Sequence, residues 1–168
     1  MENNGEIFNR IQASGIISLN LMDYKPDVAV VEFDIVPYLY MGMVLREKEF
    51  RESMAGIDWK AYEGKVVSVF CSADAIVPQW AYILIGALLF PYAQSVAYGR
   101  AASHETRLWA ERIAGEDFSL FTDKKVALKA NAAIPDELLL LATQLLMGKV
   151  SALMYGEPGM PKMIYKRR

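Results

Sequence analysis

Two stretches of the chain have the same order of hydrophobic and polar positions. Each begins with a β-branched run, passes through a short loop and a proline into an apolar stretch, and ends in Tyr-Gly. Matching residues lie at one constant spacing, including Pro78 with Pro135, Leu84 with Leu141, Leu88 with Leu145, Leu89 with Leu146, Tyr98 with Tyr155 and Gly99 with Gly156. β-branched runs favour buried strands, and proline suits the first turn of a helix. The pattern therefore predicts an internal repeat of strand, loop, helix and strand, at about 65–99 and 124–156.

The segments outside the two copies predict further elements. Ile17–Leu21 and Val28–Ile35 are predicted strands, joined by turn-forming residues at 23–27. Helices are predicted at Ile7–Gln12, from Pro37 to about 54, and at 101–114. Alternating strands and helices favour a sheet covered by helices on both faces. We therefore predict a single α/β domain over residues 1–168, with three layers and a mixed, mostly parallel sheet.

The helical stretches of the two copies are strongly apolar. No charged residue occurs within Ala75–Gly99, but Pro78 and Pro91 enclose only about a dozen residues, whereas a membrane-spanning helix needs about 20. We therefore predict a buried helix and no membrane association. Leu138–Leu141 and Leu145–Met147 together are apolar on every side of a helix, so most of its surface must be covered. This demand predicts a homodimer whose interface is built partly from these helices.

Composition narrows the class of protein. Of the 168 residues, 54% are hydrophobic and 23% are charged, which excludes intrinsic disorder. A net charge of −2 argues against a general nucleic-acid binder, which needs a basic face. The single cysteine, Cys71, excludes an intrachain disulfide and a cysteine-rich zinc motif. The first residues lack a secretory pattern and a lone thiol suits a reducing compartment, so a cytoplasmic location is predicted.

The loop between the strand and the helix of the first copy is the predicted site. Ligands of open α/β sheets gather beyond the carboxyl ends of the strands, near helix N-termini. Cys71, Ser72 and Asp74 place a thiol, a hydroxyl and a carboxylate in this loop. Asn131 lies in the matching loop of the second copy, and Glu157 follows the second Tyr-Gly. These five residues are the predicted ligand-binding residues, Glu157 on the expectation that the copies are adjacent, and no residue is assigned to a metal.

Other polar residues are expected to play structural roles. His104 is the only histidine, and its place behind Ser103 near the start of the 101–114 helix predicts a solvated helix residue with Ser103 as the cap. Glu32 and Asp34 alternate with apolar residues and are predicted on the solvated face of a strand. The basic residues from Lys162 onward are predicted to form a solvated tail.

Three segments of the chain are similar to one protein family. The most specific is Cys71–Tyr82, which follows the similar stretch Asp58–Lys65. The other two are Ile11–Leu21 with Phe33–Ile35, and Met154–Pro158 with Ile164–Lys166. They resemble a family of short bacterial proteins, mostly from Bacteroidetes, known as domain of unknown function twenty-four-eighty. The resemblance covers essentially the whole chain. It implies a family and a bacterial source, but no activity, substrate or cofactor, so the cofactor stays unknown.

Three functional interpretations of the loop Cys71–Asp74 remain open. A small enzyme would use Cys71 as nucleophile or Asp74 as general acid or base, because a helix N-terminus makes a nearby thiol more nucleophilic. A divalent-metal protein would use Asp74 with oxygens from elsewhere. Without a base for Cys71 the catalytic set is incomplete, so whether the protein is an enzyme stays undecided. We predict a ligand-binding or interaction module with its functional surface at this loop.

Overall fold

The computed structural model describes residues 15–157 and 159–168, so the helix predicted at Ile7–Gln12 lies outside the described residues. The chain divides into two compact units. We call Asp27–Arg107 the central unit, and Met1–Pro26 with Leu108–Arg168 the terminal unit. The organisation of the chain as one domain stays a prediction.

Strands and helices alternate along the described residues, which confirms the predicted α/β class. In chain order the elements are β1 (Ile16–Leu19), β2 (Val30–Asp34), α1 (Glu47–Ala55), β3 (Val66–Phe70), α2 (Gln79–Leu89), β4 (Ser95–Tyr98), α3 (Ala101–Ala114), β5 (Lys125–Lys129), α4 (Asp136–Leu146), β6 (Ala152–Gly156) and β7 (Lys162–Lys166). The helix predicted at 101–114 is confirmed as α3.

The strands form two sheets, which corrects the prediction of a single sheet. The central sheet has the order β2-β3-β4 and is parallel throughout. The terminal sheet has the order β1-β5-β6-β7, in which β7 alone is antiparallel to its neighbour. Strands β1 and β2 are consecutive in the chain, yet each pairs with the first strand of a different copy. The predicted mixture of mostly parallel strands is confirmed.

The core of the central unit lies between its sheet and two helices. Strand β3 is buried along its whole length, and its side chains Val67 and Val69 face this core. Ala81, Ile85 and Leu89 of α2 pack into the same core. Their spacing of four residues places them on one stripe of the helix, as helix geometry requires. Phe50 and Met54 of α1 belong to this core as well.

The core of the terminal unit is built in the same way. Val126 and Leu128 of β5 face it, and Leu138, Ala142 and Leu146 of α4 pack into it. These three α4 positions follow the three buried α2 positions at the constant spacing of the repeat. The match supports the internal repeat, which stays a prediction.

The helix predicted from Pro37 to about 54 begins only at Glu47, as α1. The preceding segment forms a tight hairpin, in which the Tyr40 N–H donates to the Val44 carbonyl at 2.8 Å. Met41 and Gly42 have positive φ angles of 51° and 69° in its turn, and that geometry is incompatible with a right-handed helix. The turn escaped prediction because methionine is rarely found at such positions.

The C-terminal segment forms a strand and not the predicted tail, although its basic residues Lys162, Lys166, Arg167 and Arg168 are exposed as predicted. β7 pairs antiparallel with β6, and its Tyr165 packs against the core of the terminal unit. Arg167 after the strand forms an ion pair with Asp123. Packing of the Tyr165 ring and strand pairing therefore outweigh the charges that suggested a tail.

Among the described residues, no helix has the length and apolar character needed to cross a membrane.

Candidate functional site

The carboxyl ends of three parallel strands meet at one edge of the central sheet. Asp34, the last residue of β2, lies opposite Phe70, the last residue of β3, and β4 ends beside β3 at Tyr98. The chain then continues into the loop 71–74 after β3 and into Arg100 after β4. We call Asp34, the loop 71–74 and Arg100 the central edge. Ligands of parallel sheets bind at edges of this kind.

The side chain of Asp34 connects the ends of β2 and β3. The Ser72 hydroxyl donates to its Oδ2 at 2.5 Å, a distance typical of a hydroxyl bound to a charged carboxylate. The backbone N–H groups of Ser72 and Val36 both donate to its Oδ1 at 3.1 Å. Ser72 therefore binds Asp34 instead of capping α2, whose N-cap is Pro78 with no side-chain cap.

The Asp34 carboxylate is held in its ionised form. Burial raises the pKa of this carboxyl, but the hydrogen bonds from Ser72 and Val36 and the positive charge of Arg100 outweigh burial. The pKa of Asp34 therefore lies below its ordinary value. At neutral pH the central edge presents an acceptor oxygen pair that carries a full negative charge.

The other two predicted residues of the loop lie beside this carboxylate in the sequence. Cys71 is half-buried, and its Sγ donates to the Ala73 carbonyl at 3.4 Å. Asp74 is exposed, and no hydrogen bond or ion pair joins its side chain to another described residue. Of the three residues, Ser72 alone is hydrogen-bonded to the end of another strand.

A second carboxylate, Glu32, binds the start of α3. Its Oε1 accepts from the Ala101 N–H at 2.9 Å, and its Oε2 accepts from Arg100 Nη1 at 3.1 Å. The carboxylate satisfies one of the N–H groups that a helix leaves unpaired at its N-terminus. The Arg100 guanidinium lies over the Phe70 ring at 4.1 Å.

Glu32 is exposed on its strand as predicted and Asp34 is half-buried, but the prediction missed that both carboxylates bind groups that follow other strands. Sequence reasoning also missed Arg100 as a functional candidate. Arg100 lies 68 positions after Glu32, and only the parallel pairing of β2, β3 and β4 brings them together. A glycine followed by arginine after a predicted strand was the one signal available.

His104 is buried, with 1% of its surface exposed, which corrects the prediction of a solvated helix residue. Its Nδ1 lies 3.1 Å from the Ser68 hydroxyl, and its Nε2 lies 3.0 Å from the Ser95 hydroxyl and 3.3 Å from Arg107 Nη2. A guanidinium can only donate, so Nε2 accepts, and we assign the ring proton to Nδ1, which donates to Ser68. Both ring nitrogens are therefore engaged away from Cys71.

The last two predicted ligand-binding residues belong to the terminal unit. Asn131 follows β5, and its Oδ1 accepts from the Ala133 N–H at 2.9 Å within its own loop. Glu157 follows β6 and is exposed. The five candidates are thus divided between the units, with Cys71–Asp74 in the central one. Their assembly into one site stays a prediction.

Within residues 15–157 and 159–168, no three His, Cys, Asp or Glu side chains lie close enough together to hold a metal ion.

Comparisons with known proteins complete the description of the site. A family model described as "Protein of unknown function (DUF2480)" matches residues 5–167. No curated protein and no solved structure matches the chain.

Proposed function

The chain belongs to the DUF2480 family of proteins of unknown function, and from its geometry we propose that it is a non-catalytic module that binds a small polar ligand at the central edge. One observation carries the proposal. The ends of neighbouring parallel strands bring an ionised carboxylate, Asp34, together with Ser72 and within the electrostatic reach of Arg100. Groups of both charges at the carboxyl edge of a parallel sheet suit a ligand of mixed charge.

The chemistry of the central edge suggests the class of ligand. An ionised carboxylate accepts hydrogen bonds, so Asp34 suits an ammonium or hydroxyl group of the ligand. Arg100 donates, and its side chain is 61% exposed despite the ion pair with Glu32, so it suits a carboxylate. A small zwitterion such as a free amino acid carries both groups. The exposed Asp74 would add a second acceptor.

The enzyme alternative has less support from the same residues. A cysteine nucleophile needs a base within hydrogen-bonding reach. Both ring nitrogens of His104 are bonded to serine hydroxyls, and the Cys71 thiol is hydrogen-bonded to the Ala73 carbonyl. A binding role requires no such base.

Two-dimensional NMR with a panel of free amino acids tests the proposal. We expect at least one compound to shift the amide signals of residues 34, 71–74 and 100 in a saturable manner. Asp34→Asn and Arg100→Met should each weaken that binding at least tenfold, because each removes one of the two charges. Asp117→Asn removes a carboxylate of the terminal unit that accepts from the Ser119 N–H; it is the matched control and should leave the binding unchanged. Shifts that cluster elsewhere, or none at about 10 mM, would contradict the proposal.

Further proposals concern the setting of the module. Asn131 and Glu157 at the corresponding edge of the terminal sheet are proposed as additional ligand contacts. We also propose that the protein is a cytoplasmic homodimer. The lone cysteine and the apolar helices support these proposals. Fluorescence microscopy of the tagged chain in a bacterial host tests the location, and a signal at the envelope would contradict it.

A further inference from the structure

Helix α2 exposes a continuous stripe without any charge. Its inward residues are buried in the central core, whereas Gln79, Ile83, Ala87 and Phe90 face outward along the opposite side. Ile83 is 72% exposed and Phe90 is 84% exposed. Large apolar side chains in a contiguous exposed row mark interaction surfaces. We call these four residues with Gly86 the α2 stripe.

Gly86 lies in the middle of this stripe, and packing within its own chain does not require a glycine there. A Cβ atom built at Gly86 would meet no atom within 4 Å, so the fold leaves room for a larger residue. Glycine in a helix interior lowers helix stability relative to alanine. Small residues on a helix surface permit the close approach of a second backbone. A partner helix that crosses at Gly86 accounts for this glycine.

The spacing of the stripe is the same in both directions from its centre. Ile83 lies three positions before Gly86, and Phe90 lies three positions after Ala87. A two-fold axis through the pair Gly86 and Ala87 would set Ile83 of one chain against Phe90 of the other, twice. Such reciprocity is the requirement of an isologous interface between two identical chains. An unrelated partner would not require it.

We propose that two copies of this chain dimerise through antiparallel packing of their α2 stripes, crossing at Gly86. The inference deepens the homodimer proposed above and is independent of ligand binding at the central edge. Burying the stripe desolvates no charged group, since none occurs within 75–99.

The two large side chains of the stripe supply about a third of the area that such a dimer needs from each partner. Ile83 and Phe90 together expose roughly 300 Å² of apolar surface, at about 150–250 Å² for a large side chain. A standard interface takes about 800 Å² from each partner. Gln79 of the stripe and the neighbouring uncharged, exposed residues Pro91, Tyr92 and Gln94 add further area at its rim.

The corresponding helix of the terminal unit provides an internal control. At the positions that match Gly86 and Ala87, α4 has Thr143 and Gln144. Its Leu140, which matches Ile83, is 66% exposed. An exposed, branched apolar side chain is therefore present on the matching helix of each unit, but the small-residue centre belongs to α2. The dimer should depend on Ile83 and Gly86 and should not depend on Leu140.

Sedimentation velocity of the full chain between about 1 and 200 µM tests the proposal. We expect the wild type to dimerise, and Ile83→Arg and Gly86→Arg each to weaken the dimer at least tenfold. Leu140→Arg should leave the dimer unchanged. Gly86→Ala should weaken the dimer several-fold while raising the thermal midpoint of the monomer, a combination that a folding defect does not produce.

Chemical cross-linking tests the same axis independently. In a Cys71→Ser chain, Ala87→Cys should give a covalent dimer with a short bismaleimide, whereas Gln144→Cys on α4 should not. A wild type that stays monomeric at about 200 µM overturns the proposal, and so does a dimer that persists undiminished in Gly86→Arg. Loss of the dimer with intact amino-acid binding would contradict the dimer proposal but not the proposed ligand site. An intact dimer without amino-acid binding would contradict the ligand site but not the dimer.

Discussion

The central and terminal units repeat each other closely in their apolar positions. Around α1, the central unit buries Phe50, Met54 and Trp59. The terminal unit buries Trp109, Ile113 and Phe118 at a constant spacing of 59 positions, two more than the spacing of 57 between matching residues of α2 and α4. The backbone pairs alike too, since Gln94 donates to the Lys65 carbonyl at 2.8 Å and Ser151 donates to the Lys124 carbonyl at 2.8 Å. The cores thus tolerate few alternative side chains, because close packing penalises a change in side-chain volume.

The polar positions of the two units differ much more. Asp34 at the end of β2 and Asn20 directly after β1 each accept a hydrogen bond from the backbone N–H two residues later. Only Asp34 also binds a serine, Ser72, whose counterpart Asn131 bonds within its own loop. Polar groups at a sheet edge are free of the packing constraint, so their divergence identifies the central edge as the place to search for function.

The largest expected effect tests the shared cores. Leu89→Ala and Leu146→Ala should each lower the free energy of unfolding by about 3–4 kcal/mol, because each leaves a cavity at a fully buried position. Urea unfolding followed by circular dichroism measures both, with hydrogen exchange to locate the loss in one unit. Leu140→Ala on the exposed face of α4 is the control and should cost under about 1 kcal/mol. A cost below 1 kcal/mol at either buried leucine would contradict the equivalence of the cores.

A smaller effect tests the buried polar contacts of His104 in the central unit. His104→Ala should lower the free energy of unfolding by about 2–3 kcal/mol, since it leaves the buried Ser68 hydroxyl without its partner. Ala127 of β5 occupies the position that matches Ser68, and it belongs to a small apolar cluster with Ala152 and Met154.

A double-mutant cycle isolates the contribution of that hydrogen bond. His104→Ala combined with Ser68→Ala should cost less than the two single changes added together, because the orphaned hydroxyl is removed. Thr106→Ala, at an exposed site on the same helix, serves as the control. Strict additivity would show that the bond to Ser68 contributes nothing.

A third comparison concerns Asp34 and Asn20. Asp34→Asn should lower the free energy of unfolding by about 1–2 kcal/mol at neutral pH, because the Ser72 hydroxyl loses a charged acceptor. The pKa of Asp34 is lowered in the folded protein, so its contribution is complete above its ordinary pKa and is lost as the pH falls through the lowered one. The difference between wild type and variant should therefore shrink below about pH 4.

The reciprocal change in the terminal unit gives the control. Asn20→Asp places a second carboxylate beside Asp23, to which the Asn20 amide donates at 2.7 Å. The cost of this change should also be largest at neutral pH and vanish in acid, but it arises from repulsion between like charges instead of a lost attraction. Chemical unfolding from pH 3 to 7 measures both variants, and a cost of Asp34→Asn that stays constant over this range would refute the assignment.

The smallest effect concerns matching turns before β3 and β5. Gly64 and Asp123 occupy equivalent positions with φ angles of 68° and 61°. Asp123→Gly should change the free energy of unfolding by less than about 0.5 kcal/mol. Glycine relieves the unfavourable positive φ at this position, and this gain offsets the loss of an exposed ion pair with Arg167. Gly64→Ala should cost about 1 kcal/mol, since alanine disfavours that φ. Thermal unfolding measures both, and a large cost for Asp123→Gly would mean that the ion pair matters.

The sequence by itself determined the local elements and their class. The 101–114 helix, the two apolar helices behind Pro78 and Pro135, and the predicted strands follow from periodicity, proline position and β-branched runs. It also pointed to the loop at Cys71–Asp74, because polar residues after a buried strand are visible in one dimension. Side-chain period and backbone preference act over a few residues, so a linear pattern contains them.

Tertiary structure alone decided which distant groups meet. The division of the strands into two sheets, the bonds of Asp34 to Ser72 and of Glu32 to Arg100, and the burial of His104 all depend on strand pairing across long separations. Local conformational preference does not specify such strand pairing, because the free energy of pairing arises only when the chain is folded. For the same reason the solvent-facing glycine of α2 could be interpreted only once its surroundings were known.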